Sequence, residues 1–208
     1  MLISAAVSDG RVTGPNLVAV TPRENEVERW SRAKVWLFSL FNRDPRSNRA
    51  TVERLSPGPG DRVLDLGCGL GAALEHVRAT GAAAAGIDPS PSMVEKASAR
   101  VPDAEIAVGS AEEIPFPDAR FTAALAVSTY HHWANPEAGL AEAHRVLAPG
   151  GQLLIVEGRL KRSKGHGLHS DGAGRLAETL LEIGFSDASV SEMRVGRHDY
   201  LAISAIKP

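Results

Sequence analysis

Apolar residues along the chain occur in short runs that are separated by stretches with helical spacing. The runs predict buried strands at residues 63–66, 82–87, 105–108, 121–127 and 152–156. Proline, glycine and capping residues delimit helices predicted at residues 72–80, 91–100, 136–147 and 176–183. The last apolar runs, 188–193 and 200–206, could pair as an antiparallel hairpin. Strands that alternate with helices in this way indicate a parallel α/β sheet.

The N-terminal part of the chain has a different pattern. Residues 1–20 show no sustained period and are predicted to form a loose arm. Thr21-Pro22-Arg23-Glu24 has the hydroxyl cap, the early proline and the glutamate of a helix start. The apolar face of that helix, widened by Trp36, either packs on the main domain or forms a lid that contacts substrate. A second helix is predicted from Asp44-Pro45 to the linker 56–60. The predicted divisions are an arm at 1–20, a helical lid at 21–56 and a main domain at 57–208.

A glycine-rich turn joins the first predicted strand to its helix. Gly67, Gly69 and Gly71 carry no Cβ, so the main chain can bend sharply and lie close to a ligand. Asp65, on the strand side of this turn, favours a ligand with a cation or hydroxyl groups over a phosphate. The Gly-x-Gly-x-x-Ala spacing also matches a dinucleotide fingerprint, so an NAD-linked oxidoreductase is an alternative. Asp88 ends the second strand, where a carboxylate can accept both hydroxyls of a ribose.

Composition narrows the function classes. The chain has 208 residues with a formal net charge of -2, which argues against a nucleic-acid surface because phosphate binding needs a basic excess. The single cysteine, Cys68, excludes an intrachain disulfide framework. No apolar run approaches the roughly 20 residues that cross a bilayer, and the first residues lack the basic segment of a signal peptide. We therefore expect a cytoplasmic protein, with no membrane span.

Several segments carry a recognisable pattern: residues 65–71, 86–93, 109–116, 131–136 and 145–151. In this order and spacing they resemble the class I S-adenosylmethionine-dependent methyltransferases, and most nearly the small-molecule branch with the ubiquinone and menaquinone C-methyltransferases. The resemblance covers residues 55–208. It implies an α/β fold with a Rossmann-like, seven-stranded and mostly parallel sheet, an antiparallel last strand and helices on both faces. It also implies S-adenosylmethionine as cofactor and a small-molecule acceptor of unknown identity.

The resemblance also implies roles for individual residues. Asp65 would lie near the cofactor ammonium, Asp88 would hold the ribose, and Ala111 would meet the adenine edge. The implied cofactor-binding set comprises Asp65, Gly67, Gly69, Asp88, Pro89, Met93, Ser110, Ala111, Glu112 and Ser128. The chain departs from the family pattern at Ser110 and Thr122, where members often carry aspartate. At the first position, Ser110 or Glu112 would have to accept from the adenine amino group.

Residues after the fourth strand are candidates to contact the molecule that accepts the methyl group. His131 is the candidate general base, because imidazole titrates near neutral pH. Tyr130, His132 and Trp36 are candidate substrate contacts, and the histidines alternatively bind only loop backbone. Cys68 is either an activated thiolate at a helix N-terminus or a small spacer. The basic loop at 159–169 either receives an anionic substrate or is solvated, and no metal site is assigned to it.

The residues leave two alternatives to a small-molecule methyltransferase. One is a cofactor-binding domain without catalysis that serves as a sensor or partner, which the departures at Ser110 and Thr122 keep open. The other is the NAD-linked oxidoreductase, which is disfavoured because little chain follows the single nucleotide-binding unit. Neither the acceptor atom nor the oligomeric state follows from the sequence.

Overall fold

The computed structural model describes residues 46–160 and 167–208. The helices of these ranges are α1 (Arg46–Leu55), α2 (Ala72–Ala79), α3 (Pro91–Arg100), α4 (Pro136–Val146) and α5 (Ser170–Ile183). The strands are β1 (Arg62–Leu66), β2 (Ala83–Asp88), β3 (Glu105–Val108), β4 (Phe121–Val127), β5 (Leu147–Gly158), β6 (Ser186–Val195) and β7 (His198–Ile206). A single 3-10 turn, Tyr130–His132, follows β4.

The strands form one seven-stranded sheet in the order β3-β2-β1-β4-β5-β7-β6. Strands β1 to β5 pair in parallel, and β7 runs antiparallel to both of its neighbours, β5 and β6. The predicted fold class and the antiparallel hairpin are therefore confirmed. The strand order reverses between β1 and β4, so a crevice opens beyond the carboxyl ends of these strands.

Helices cover both faces of the sheet. One face packs against α4 and α5 through a core that includes Leu64, Ile87 and Leu140, none of them exposed. The other face packs against α1, α2 and α3 through a core that includes Val63 and Leu74. Successive strand residues point to opposite faces, so a strand that is covered twice becomes apolar throughout. This explains why the sequence showed unbroken apolar runs.

Helix α1 packs into the second of these cores. Its residue Val52 is only 2% exposed and contacts this core. Arg54 of α1 also donates to the hydroxyl of Ser191 on β6. The predicted end of this helix before residue 56 agrees with the structure. The arm, the preceding helix and Trp36 lie outside the described residues, so the division at 21–56 and the lid remain predictions.

Two elements begin more than two residues before their predicted starts. Strand β5 begins at Leu147, whereas residues 149–151 were expected to form a turn before it. Gly150 N–H donates to the Lys207 carbonyl, and Lys207 N–H donates to the Gly151 carbonyl, which extends the sheet through the glycines. Helix α5 begins at Ser170 rather than at residue 176. Its first turns contain Gly172 and Gly174, which weaken the helical signal in the sequence.

Arg145 fastens the loop that follows β3 to helix α4. Its guanidinium donates to the carbonyl oxygens of Ile114 and Phe116, at 2.9 Å each. It also donates to both carboxylate oxygens of Glu142, at 2.7 and 2.8 Å, and to Asp118 at 2.7 Å. Glu142 in turn accepts from Ile114 N–H. The loop that leads away from Ser110 is therefore held to α4 by one planar, multiply bonded group.

We predict that Arg145→Lys lowers the free energy of unfolding by about 1–3 kcal/mol, because an ammonium cannot serve all these acceptors at once. Denaturant unfolding of both proteins measures the difference. Arg49→Lys is the matched control, since Arg49 pairs with Glu53 on an exposed helix surface and should cost less than about 0.5 kcal/mol. An equal decrease in the free energy of unfolding in the two variants would contradict the proposed role of Arg145 in holding the loop after β3 to α4.

Candidate functional site

The turn after β1 is bound to the end of β2. The N–H groups of Gly67 and Cys68 both donate to the Ile87 carbonyl, at 2.9 and 2.8 Å. Gly67 has a φ of 82°, and a Cβ there would lie 2.9 Å from the side chain of Thr129. Gly69 also has a positive φ, 51°, but a Cβ there would meet nothing within 4 Å. The turn is therefore tightly packed at Gly67 and open at Gly69, where a ligand can approach the backbone.

Asp88 connects this turn to the start of helix α3. Its Oδ2 accepts from Gly69 N–H at 3.0 Å, and its Oδ1 accepts from Ser90 N–H at 2.9 Å. Burial raises the pKa of Asp88, and these two N–H groups partly oppose the rise. Each carboxylate oxygen can accept a second hydrogen bond. The side chain predicted to hold a ribose thus also organises the loop around it.

Asp65 lies at the end of β1 and is 3% exposed. Burial, with a further contribution from the charge of Asp88, raises the pKa of Asp65 to about 8. A nearby cation would favour the charged form and lower this pKa. A buried carboxyl of this kind suits a ligand that brings a cation, such as an ammonium group.

Cys68 is a buried spacer in the turn. Burial raises the pKa of its thiol well above the ordinary value, and the charges of Asp65 and Asp88 add to the rise. A Cβ on Gly86 would lie 2.9 Å from the Cys68 Cβ, so the thiol packs directly on β2. Within the described chain, burial and the charges of Asp65 and Asp88 all disfavour the thiolate, which contradicts the alternative of an activated thiolate at this helix N-terminus.

The residues predicted to surround an adenine lie beyond β2 and β3. Pro89 is half-buried, and Met93 and Ala111 are 5% and 7% exposed. Asp88 and Val108 are paired in the sheet, and Gly109 N–H donates to the Asp88 carbonyl, which brings the two strand ends together.

The two polar candidates of this loop make internal contacts. The Ser110 carbonyl accepts from Glu113 N–H within a short antiparallel bridge. Glu112 Oε1 accepts from Asn135 N–H at 3.1 Å. Asn135 in turn caps helix α4 through Ala138 N–H. Glu112 therefore joins the loop to α4, a role that the sequence analysis did not assign.

The end of β4 is bent and anchored to β1. Ser128, an exposed residue, has a φ of 55° in the left-handed region, and its N–H donates to the Val156 carbonyl. Such strain in a residue other than glycine is concentrated at functional sites. Thr129 Oγ1 donates to the Leu66 carbonyl at 2.8 Å and accepts from the Trp133 indole N–H at 3.4 Å. Thr129 was not predicted as a site residue, yet it holds the 3-10 turn after β4 against the end of β1.

Within this turn, His131 contacts a carboxylate that the sequence analysis missed. His131 Nδ1 lies 2.8 Å from Oε2 of Glu157, a fully buried residue of β5. Tyr130 is half-buried, and burial, followed by the charges of Glu157 and Glu137, raises its pKa. His132 is exposed, with its ring centroid 4.0 Å from that of His131. The prediction that the histidines bind only loop backbone therefore does not describe His131.

A cavity of about 420 Å³ lies beside this pair, at the ends of β4 and β5 and the start of β7. Its lining comprises Ser128, His131, Glu157, Gly158, Arg159, Arg197, His198, Asp199 and Tyr200. Arg159 also pairs with Glu192 at 2.5 Å. Most of the basic loop, including residues 161–166, lies outside the described residues, so its role stays a prediction.

Residues 46–160 and 167–208 contain no group of three or more His, Cys, Asp or Glu side chains arranged to hold a metal ion. Within the same ranges, no helix combines the length and apolar character needed to span a bilayer.

Parts of this chain are similar in sequence to known proteins. Residues 64–155 match the family described as "Methyltransferase domain". The chain is 32% identical over 138 residues to an uncharacterized methyltransferase of Synechocystis, an alignment that covers 62% of this chain and 65% of the relative. It is 38% identical over 123 residues to the demethylmenaquinone methyltransferase of Tropheryma whipplei, covering 58% of this chain and 52% of the relative. The chain thus spans between half and two thirds of the length of these relatives.

Among solved structures, the fold resembles a phosphoethanolamine N-methyltransferase of Haemonchus contortus in complex with S-adenosylhomocysteine. The TM-score is 0.72 at 18% identity, over 88% of this chain and 59% of the other. At this identity the likeness concerns the fold alone. With the sequence matches and the strand order β3-β2-β1-β4-β5-β7-β6, it confirms the resemblance seen in the sequence. Residues 64–155 therefore match a methyltransferase domain, in agreement with the resemblance to S-adenosylmethionine-dependent methyltransferases that the sequence predicted.

Proposed function

We propose that the protein binds S-adenosylmethionine in the crevice beyond β1, β2 and β4 and transfers its methyl group to a small molecule. The observation that carries this proposal is the pair of buried carboxyl groups, Asp65 and Asp88, beside the open turn at Gly69. The Asp65 carboxyl, with a pKa of about 8, would be ionised at neutral pH by a nearby cation, and the Asp88 carboxylate retains capacity for hydroxyl donors. An amino-acid group joined to a ribose meets both requirements.

The residues divide between the two ends of this ligand. Asp65, Gly67 and Gly69 would hold the methionine part, with Ser128 beside its reactive end. Asp88 would accept from the ribose hydroxyls. The adenine would lie among the remaining candidates, Pro89, Met93, Ser110, Ala111 and Glu112. When bound, the cofactor supplies an electrophilic methyl group whose bond to sulfur breaks as the acceptor attacks.

The acceptor would occupy the cavity beside β5. Its volume of about 420 Å³ suits a small molecule rather than a macromolecular segment. His131 is the proposed base, and Tyr130 and His132 are proposed acceptor contacts because they flank it on the same 3-10 turn. Trp36 remains a proposed contact from the N-terminal helix. Small-molecule methylation in the cytoplasm is the role we infer.

Calorimetric titration with S-adenosylhomocysteine and, separately, with NAD tests cofactor choice. We expect saturable binding of the first and none of the second, whereas tight NAD binding would favour the oxidoreductase alternative. Transfer of a labelled methyl group to the small-molecule fraction of a cell extract then tests activity. Cofactor binding with no labelled product would instead favour a sensor or partner protein without catalysis.

We predict that S-adenosylhomocysteine binding at pH 7 releases about one proton from Asp65. Below its pKa of about 8 the carboxyl is mainly neutral in the free protein, and the ligand ammonium would ionise it. The release should therefore decline as the pH rises through 8. Calorimetry in buffers that differ in ionisation enthalpy counts the protons.

Two variants make this measurement specific to Asp65. Asp65→Asn should abolish the release, because the amide has no proton to lose in this range. Asp61→Asn should leave it unchanged, since hydrogen bonds from Gly58 N–H and the Thr122 hydroxyl hold the pKa of Asp61 below its usual value. Proton release that survives in Asp65→Asn would assign the ionising group elsewhere.

We predict that Asp88→Ala weakens S-adenosylhomocysteine binding by roughly 1–3 kcal/mol, the usual cost of losing hydrogen bonds to a charged group. The variant also frees the N–H groups of Gly69 and Ser90 from their shared partner. Asp103→Ala, at an exposed turn, is the control and should bind like the unchanged protein. Unaltered affinity in Asp88→Ala, with the fold intact by circular dichroism, would argue against the ribose assignment.

A further inference from the structure

Glu157 and His131 form a pair at the wall of the acceptor cavity. Glu157 comes from β5, whereas His131 comes from the 3-10 turn after β4, and both line the cavity. The contact joins Oε2 of Glu157 to Nδ1 of His131 at 2.8 Å. When Glu157 is ionised its carboxylate only accepts hydrogen bonds, so in this contact Nδ1 of His131 is then the donor. In the neutral ring Nε2 is then unprotonated and basic.

The environment of Glu157 does not indicate a structural role. The residue is 0% exposed, and within the described chain its Oε1 has no hydrogen-bond partner. Burying a carboxylate with one oxygen unsatisfied is costly, and it stabilises the fold less than an apolar side chain of similar size would. Asp88, another acid that faces the crevice, is better satisfied, since it accepts from two backbone N–H groups. In the described part of the chain, Glu157 therefore makes its hydrogen bond through Oε2 to His131.

We propose that Glu157 is a positioning residue that holds His131 in its Nδ1–H form, so that Nε2 takes the proton of an acceptor hydroxyl. This inference rests on the proposed methyltransferase function and narrows its acceptor to molecules whose nucleophilic atom still carries a proton at neutral pH. Acceptors that are already ionised need no base and would gain nothing from the pair.

The proton balance of the step is complete without a further reactant. The acceptor oxygen forms its bond to the methyl carbon, and the electron pair of the broken carbon–sulfur bond stays on sulfur. The hydroxyl proton moves to His131 Nε2 and gives an imidazolium. The Glu157 carboxylate stabilises this cation through Nδ1–H, in a buried position where the interaction is stronger than in water. The proton then leaves to solvent through the cavity.

The first test reads the ring directly, in the protein without cofactor. Histidine labelled with ¹⁵N gives separate signals for Nδ1 and Nε2, and His131→Gln identifies those of residue 131. We expect the neutral ring to carry its proton on Nδ1. In Glu157→Leu the proton should move to Nε2, the form that free histidine prefers. Glu192→Gln, which removes an exposed partner of Arg159, should leave the spectrum unchanged.

Two spectroscopic outcomes would overturn the proposal. One is an Nε2–H ring in the unchanged protein, or a ring that stays doubly protonated in alkaline solution. The other is an identical ring in Glu157→Leu. Glu157→Gln guards against a variant that fails to fold: its amide oxygen can still accept from Nδ1–H, so the ring should keep the original form.

The second test separates acceptor classes, with S-adenosylmethionine and two probes. Catechol carries its proton at mildly alkaline pH, whereas thiophenol is already ionised there. We expect Glu157→Gln and Glu157→Leu to slow methylation of catechol at least tenfold, and methylation of thiophenol by less than about twofold. Equal losses with both probes would indicate a merely structural role, and no transfer to catechol by the unchanged protein would remove the hydroxyl class. A protein that fails to bind S-adenosylhomocysteine would refute the methyltransferase function while the ring measurement stands alone.

Discussion

Two carboxyl groups are buried at the ends of neighbouring strands, and the shape of the crevice depends on how each is compensated. Asp88 is compensated within the protein, because the amides of Gly69 and Ser90 point at its two oxygens. These bonds fix the turn after β1 against the start of α3. Asp65 is not compensated in this way, and its pKa rises to about 8. Asp88 therefore stabilises the backbone of the crevice, whereas Asp65 would be stabilised in its charged form by a bound cation.

A parallel sheet concentrates such groups in one place. Asp65, Asp88 and Glu157 lie at or near the carboxyl ends of β1, β2 and β5, while Ser128 follows β4 with a strained backbone. Because these ends share one edge of the sheet, acids that are far apart in the sequence surround a common space. Glu157 differs from the other two in having a histidine as its described partner. The proposed cofactor site at β1 and β2 and the proposed proton transfer at β4 and β5 therefore lie at one edge of the sheet.

The sequence predicted what depends on local pattern and missed what depends on distant pairing. Strand β4 was predicted with its observed bounds, because a strand buried on both faces is apolar throughout. The early start of β5 depends on Lys207 at the other end of the chain, which no local pattern reveals. The contacts of Glu112 with Asn135 and of Glu157 with His131 likewise join segments that are distant in the sequence. A signal for Glu157 did exist, since it is an acid that directly follows an apolar run, as Asp88 does.

The two departures from the family pattern have different physical consequences. At Thr122, where relatives often carry aspartate, the hydroxyl accepts from Arg62 N–H and donates to Asp61, so a carboxylate is recruited from the start of β1. The join between β1 and β4 is thereby retained. At Ser110 the described contacts show no such replacement, because Oε1 of Glu112 accepts from Asn135 N–H. In the proposed site, Oε2 of Glu112 would be the carboxylate oxygen left for the adenine amino group, beside apolar packing against Met93 and the backbone near Ala111. The ribose contact of Asp88 would be the best-defined part of this proposed site, because two backbone N–H groups fix its carboxylate.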